Sequence, residues 1–257
     1  MTWDHIRLEV DEAIATVTLD RPEALNAFSG SMRSDLLAAI QEGADEARAL
    51  IVTGAGTAFS AGGDVKFMAK ARPEDLEPLV EQGKRVVTLL RSLPIPTLAA
   101  VNGVAVGAGL GLALACDVRM AARTARLGAS FARVGLHPDW GVSYFLTRIA
   151  GPAVARDLVF SGRLVPAEEA LSLGIVNWVV PADELLARAL QKAREFRDAS
   201  PVSIRWAKQT LARAENATLE EVLELEQLAQ LASFRSEDAR EGLNALVEKR
   251  TPNFKGR

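Results

Sequence analysis

Asp139 and two glycine-rich turns are the parts of this 257-residue chain whose residue types and spacing can do chemistry. The turns are Ala58-Phe-Ser-Ala-Gly-Gly-Asp64 and Val106-Gly-Ala-Gly-Leu-Gly111. The acid lies in a third segment, Gly135-Leu-His-Pro-Asp-Trp-Gly141. Glycine lets backbone N–H groups point outward and lets a ligand come close to them. Two such turns aimed at one point make a pair of converging amide donors, which holds negative charge developing on a carbonyl oxygen. One carboxylate beside that pair can move a proton. Together they point to chemistry through an oxyanion or an enolate.

The elements that must position these residues alternate between strand and helix. Residues 6–10 and 14–19 read as a hairpin turning at Asp11-Glu12. An amphipathic helix is expected over 31–47, with Leu36, Leu37 and Ile40 on one face. Residues 48–53 read as a buried strand leading into the first turn. A long helix over 74–93 follows, then a strand over 97–101, a small-residue helix over 108–115 and a strand over 117–121. This alternation argues for an α/β fold with parallel strands joined by crossovers. From Trp140 onward the pattern is helical, near 140–150, 152–160, 166–173, 182–199, 201–215, 218–233 and 236–248. Gly151, Gly162, Pro166, Gly174 and Pro181 punctuate that run. Leu219, Val222, Leu223, Leu225, Leu228 and Leu231 cover more of a helix than one buried stripe needs.

Composition excludes several classes of function. Apolar residues make up 49% and charged residues 25%, ordinary for a globular protein. A net charge of -3 gives no reason to expect nucleic acid. One cysteine, Cys116, allows no intrachain disulfide, so a reducing, cytoplasmic compartment is expected. Its apolar run reads as the setting of a buried structural thiol. The first residues show no basic-then-apolar leader pattern. The uncharged stretch 93–116 is long enough to raise a membrane span. Pro94, Pro96, Asn102, Gly103, Gly107, Gly109 and Gly111 break it into strand, turn and helix, so no membrane partner is expected. With two histidines, a Ser-His-Asp triad has no footing. The acids form no metal-ligand cluster, so no metal is expected. The run from Gly107 to Leu112 lacks the third glycine of a dinucleotide site and the acid about 20 positions on.

Five segments together resemble the crotonase, or enoyl-CoA hydratase/isomerase, superfamily. They are Arg21-Pro-Glu-Ala-Leu-Asn-Ala27, Phe59-Ser-Ala-Gly-Gly-Asp64, Ala100-Val-Asn-Gly103 with Gly107-Ala-Gly109, Cys116-Asp117, and Glu248-Lys-Arg-Thr-Pro-Asn-Phe254. They follow the family's order along nearly the whole chain. The resemblance implies an α/β, crotonase-like spiral of ββα units over 1–195, holding the acyl-CoA site. It implies a C-terminal helical oligomerisation segment over 196–257, packed between subunits of a homotrimer or a dimer of trimers. A coenzyme A thioester is the implied substrate, with no cofactor bound permanently. The oxyanion amides map to Gly63 and Ala108. Arg21 and Lys66 match family positions near the ligand. Lys249 matches a lysine that reaches the nucleotide, often from a neighbouring subunit. Ala24 and Leu25 are expected at the adenine pocket, Phe67 and Met68 along the acyl channel, and Ala61 among the substrate-binding residues.

The informative departure is a missing pair of glutamates. Hydratases of this family carry them at the positions matching Gly111 and Phe131. Water addition by two carboxylates therefore has no support at the usual positions. Asp139 is the carboxylate that remains nearby. Family members resembling the epoxide–oxepin isomerase of phenylacetate degradation use one acid from this region. The family's 4-chlorobenzoyl-CoA dehalogenase has its nucleophilic aspartate there. An apolar cleft lined by Phe131, Leu110 and Trp140 would raise the pKa of Asp139 by desolvation. A helix N-terminus at Trp140 would oppose that rise. A helix N-cap is the competing role for Asp139. His137 is read as a group near substrate, against the plainer reading of a loop histidine. Asp64 is read as the cap of a short helix over 65–70. The expected activity is double-bond isomerisation of an enoyl-CoA with Asp139 as acid and base. The alternatives are a hydratase, an aspartate-nucleophile hydrolase or dehalogenase, and a non-catalytic CoA-binding protein.

Overall fold

The computed structural model describes residues 3–257. The first two residues of the segment read for a leader lie outside them. Strands β1 (Ile6–Asp11) and β2 (Ile14–Leu19) form the expected antiparallel hairpin, with Glu12 and Ala13 at positive φ in its turn. Helix α1 (Met32–Glu46) follows. The chain then repeats one pattern: a strand, a three-residue strand, and helix. β3 (Ala49–Gly54) and β4 (Ala58–Ser60) lead into α2 (Val65–Met68) and α3 (Pro73–Ser92). β5 (Thr97–Val101) and β6 (Val104–Val106) lead into α4 (Ala108–Ala115). β7 (Val118–Ala122) and β8 (Arg126–Gly128) lead through a helical turn at Ser130–Val134 to α5 (Val142–Ile149) and α6 (Gly151–Ser161). β9 (Leu164–Pro166), α7 (Ala167–Ser172) and β10 (Trp178–Val180) complete the spiral.

The repeat places its two strands in two sheets. The larger sheet has the order β1-β2-β3-β5-β7-β10, parallel from β2 onward. The smaller has the order β4-β6-β8-β9. Parallel strands buried on both faces read as continuous apolar runs, as β3 and β5 do. Alternate residues serve opposite faces. Leu50, Val52, Ala99 and Val101 pack into the core with α1, α3 and α4. Ile51, Leu98 and Ala100 pack with Leu185, Ala189 and Ala193 of α8 (Leu185–Arg197) on the other face. The buried stripe of α1 is Met32, Leu36, Ala39 and Ile40, while Leu37 is half-buried. Every residue of α4 is buried, which its alanines and glycines permit.

Helices α9 (Pro201–Ala214), α10 (Leu219–Phe234) and α11 (Glu237–Glu248) end the chain, and Leu219, Leu228, Leu246 and Val247 stand more than 60% exposed on α10 and α11. Among the described residues, no helix is long and apolar enough to cross a membrane. The long expected elements appear with their ends moved by a few residues. The smaller sheet was not anticipated, because strands of three residues do not complete a recognisable period.

Candidate active site

The two glycine-rich turns meet where the smaller sheet gives way to helix. Gly62 has φ +87°, and a Cβ there would lie 2.6 Å from the Val106 carbonyl oxygen and 3.2 Å from the Ala108 nitrogen. A Cβ on Gly109 would lie 2.3 Å from the Ser60 carbonyl oxygen. Only glycine allows that approach at either position. Phe28 forms a parallel bridge with Gly63. The bridge is made by the Phe28 N–H to Gly62 O at 2.7 Å and the Asp64 N–H to Phe28 O at 3.1 Å, so it leaves the Gly63 N–H unused. Ala108 is the first residue of α4, where a helix has free N–H groups. Among the described residues neither the Gly63 nor the Ala108 N–H donates to a protein acceptor. Both residues line one cavity of about 480 Å³.

Met68, Leu76, Leu79, Val80, Phe131 and Leu136 make much of the cavity wall apolar. Two residues of opposite formal charge, Arg33 and Asp139, interrupt it. Asp139 Oδ1 is buried with no hydrogen-bond partner. Burial pushes the Asp139 carboxyl above its usual range, opposed by the Arg33 charge, by its own backbone N–H and by His137. Desolvation is the largest of these influences, and the carboxyl stays raised. Arg33 comes from the first turn of α1, is 5% exposed, and its Nε and Nη1 are buried without partners. Its guanidinium carbon lies 5.5 Å from the Phe28 ring centroid. Burial pulls its pKa down while Asp139 pulls it up.

Trp140 holds the loop that carries Asp139. It adopts φ +49°, a left-handed conformation costing about 1 kcal/mol or more for a non-glycine residue. Its indole packs on Gly83, and its Cβ and backbone carbonyl pack on Gly111. A Cβ on Gly83 would be 2.3 Å from Trp140 Nε1, and one on Gly111 would be 2.4 Å from Trp140 Cβ. The ring stacks on Phe28 with centroids 4.7 Å apart. Trp140 and Leu110 were expected on the cleft wall, but both lie in the core behind it. Gly83 and the Phe28 ring take up the indole, and α4 buries its whole surface, so neither side chain lines the cavity. Helix α5 starts at Val142 with Gly141 at its N-cap and no side-chain cap, so Asp139 does not cap it.

The other expected residues divide between the cavity and its surroundings. Ala61, Phe131 and His137 line the cavity with Gly63, Ala108 and Asp139. His137 Nδ1 lies 2.7 Å from the Pro138 carbonyl oxygen. Lys66 and Phe67 are exposed on α2 and outside the cavity wall. Asp64 caps that helix, accepting from the N–H groups of Lys66 at 3.0 Å and Phe67 at 3.2 Å. Arg21 donates to Asp64 at 2.9 Å and holds its carboxyl below the usual range. Arg21 also donates to Ala27 O, bracing the loop that bears Ala24 and Leu25. The Leu25 carbonyl accepts from the Ala61 N–H at 2.9 Å and ties that loop to the cavity rim. Lys249 is exposed at the end of α11, away from the cavity wall. Cys116 is buried and its thiol is pushed up to about 12, which makes it inert. Arg33 escaped the sequence reading. Its signal was a charge spaced three and seven residues from Leu36 and Ile40, on the buried stripe of α1.

A spiral of ββα units, with two free backbone amides and a largely buried carboxyl on one cavity, has the architecture of the crotonase class. Residues 9–257 match the family described as enoyl-CoA hydratase/isomerase, and the chain belongs to that family. It is 39% identical over 259 residues to a probable enoyl-CoA hydratase of Mycobacterium bovis, covering 99% of each chain. It is 39% identical over 261 residues to the 1,2-epoxyphenylacetyl-CoA isomerase of Escherichia coli, again covering 99% of each. The crystal structure of an enoyl-CoA hydratase from Bacillus anthracis superimposes with a TM-score of 0.96 at 31% identity, covering 99% of this chain and all of that one.

Proposed function

We propose that the protein shifts a double bond in an enoyl-CoA thioester. The observation that carries this reading is Asp139, the lone carboxylate among the described residues that line the cavity, with Oδ1 unpartnered. The thioester oxygen accepts from the Gly63 and Ala108 amides. Asp139 takes a proton from the carbon beside the thioester, and the electron pair spreads through the dienolate. The Asp139 carboxyl then returns the proton two carbons further along, so one group serves as base and acid. Each amide donor lowers the barrier by about 3–4 kcal/mol. The raised pKa fits a group that must both take and give a proton. The 39% identity to an isomerase that acts on a CoA thioester supports the same reading.

The reading extends to the rest of the ligand. The loop of Ala24 and Leu25, with Lys66 nearby, receives the coenzyme A nucleotide, and Lys249 reaches it from a neighbouring subunit. The thioester is a substrate, and no resident cofactor is needed. Residues 1–195 form the catalytic core, and 196–257 mediate assembly into a trimer or a dimer of trimers. The exposed leucines of α10 and α11 support that assembly. A cytoplasmic setting accords with the single buried cysteine.

Water addition is the second reading, favoured by hydratase names among the relatives. Against it, Trp140 closes the space beside Gly111, and Phe131 makes the other glutamate position apolar. Paired 2-enoyl and 3-enoyl-CoA substrates in heavy water, followed by mass spectrometry, separate the two. Positional isomers carrying deuterium, without the mass of added water, are expected. Rapid gain of a water mass would overturn isomerisation in favour of hydration.

A further inference from the structure

Arg33 is a buried cation that the proposed proton transfer does not use. It lines the same cavity as Gly63, Ala108 and Asp139. Its Nη2 lies 4.0 Å from where a Cβ on Gly63 would stand, which puts the guanidinium beside the oxyanion pair. Nε and Nη1 are buried without partners. Arg119 shows how the same side chain is treated when it is structural. It is 6% exposed, its Nε donates to Ile175 O at 2.7 Å, and its Nη1 donates to Cys116 O at 2.8 Å. A buried guanidinium whose donors stay open gives up hydrogen bonds to water that no protein acceptor replaces. Such a group is completed by a ligand that brings an acceptor.

We propose that Arg33 donates to a neutral oxygen carried by the acyl group, a ketone or ether oxygen within the first few carbons beyond the thioester. This rests on the reading of the cavity as the acyl site. Proximity to Gly63 sets the position, because the thioester oxygen sits there. Charge sets the neutrality. Asp139 already faces Arg33 across the cavity, so a carboxylate would add a second negative charge to an apolar space. A neutral acceptor engages Nη2, the guanidinium nitrogen beside Gly63, and leaves the two protein charges balanced. The specificity follows from desolvation, since an alkyl chain would leave those donors unpaired against apolar carbon.

The test is calorimetric binding of saturated CoA esters, which have no double bond to move. Hexanoyl-CoA, its oxo derivatives with the ketone at successive carbons, and glutaryl-CoA are titrated into the wild type and Arg33→Met. One oxo ester is expected to bind about 10- to 100-fold tighter than hexanoyl-CoA, the worth of a charge-assisted hydrogen bond. In Arg33→Met that ratio falls toward one. If the methionine variant does not fold, Arg33→Gln takes its place and the ratio must still fall. Absence of an oxo preference in the wild type, or its survival in the variant, overturns the assignment. Tightest binding of glutaryl-CoA overturns the neutral oxygen in favour of an anionic one. Failure of every ester to bind overturns the acyl-CoA reading, and this assignment with it. Failure of isomerisation alone leaves the binding ratios intact, so the two proposals fail separately.

Discussion

Asp117 and Asp139 each face a basic side chain, and they differ in how many of their polar atoms are engaged. Asp117 Oδ2 accepts from the Thr97 N–H at 2.7 Å, the Thr97 hydroxyl at 2.9 Å and Lys208 Nζ at 2.7 Å. Lys208 donates further to the carbonyls of Leu90 at 3.3 Å and Ile95 at 2.9 Å. This network ties α9 to the end of α3 and the start of β5. Around Asp139, by contrast, one carboxylate oxygen and two guanidinium nitrogens of Arg33 are buried with no partner, and both residues line a cavity. Burial and charge are common to both regions. What separates them is completeness, since polar atoms left open in low dielectric are costly and persist where function uses them.

The largest break in this contrast is Asp139→Asn. Its shape is nearly unchanged, but the group can no longer take a proton. Turnover should fall by about 10²–10⁴-fold, the usual worth of general acid–base catalysis. Affinity for coenzyme A should change little, because the nucleotide end lies elsewhere in the proposed complex. Steady-state rates beside a binding titration check both, and near-normal turnover would remove Asp139 from the mechanism.

Asp117→Asn should do the reverse. Losing the charge opposite Lys208 should lower stability by about 2–3 kcal/mol, less than for a fully buried pair because Asp117 is partly exposed. Urea unfolding measures this. Turnover per folded molecule should stay within about 2-fold, well under the roughly tenfold change that 1.4 kcal/mol of barrier produces. A catalytic loss without a stability loss would erase the distinction between the two aspartates.

Legibility in the sequence follows the same division. The span 108–115 was readable because an uninterrupted small, apolar run is bounded by Gly107 and Asp117. That Gly63 and Ala108 line one cavity was foreshadowed by glycine spacing, since close backbone approach leaves few other residue types. Strands such as Ala58–Ser60 and Val104–Val106 were not readable, because partners distant in the chain define them. The place of Trp140 was hidden for a related reason. Whether an indole lines a cavity or fills a slot depends on Gly83 and Phe28, which meet it only in the fold. Arg33 was hidden by its neighbours. Between Met32 and Leu36, Arg33 reads with Ser34 and Asp35 as part of an exposed face, although it is buried.

The smallest predicted effect sharpens the comparison through pH. Burial raises the Asp139 pKa, so folding favours the neutral carboxyl. Below the unfolded value of about 3.9, Asp139 is protonated in both states and its contribution to stability is fully present. As pH rises through the raised folded value, the carboxyl must ionise inside an apolar cavity, and that contribution is lost. Asparagine stays neutral at every pH. Asp139→Asn should therefore melt slightly above the wild type at neutral pH and show no such gain in acid. Activity runs the other way, because the base must be ionised, so its acid limb should lie above the usual carboxylate range. Arg33→Met, which removes the charge opposing the rise, should move that limb to still higher pH. Melting curves and pH–rate profiles of these variants check both signs. If Asp139→Asn melts below the wild type at neutral pH, the ionised carboxylate is stabilising in the fold, and Asp139 is a structural partner like Asp117.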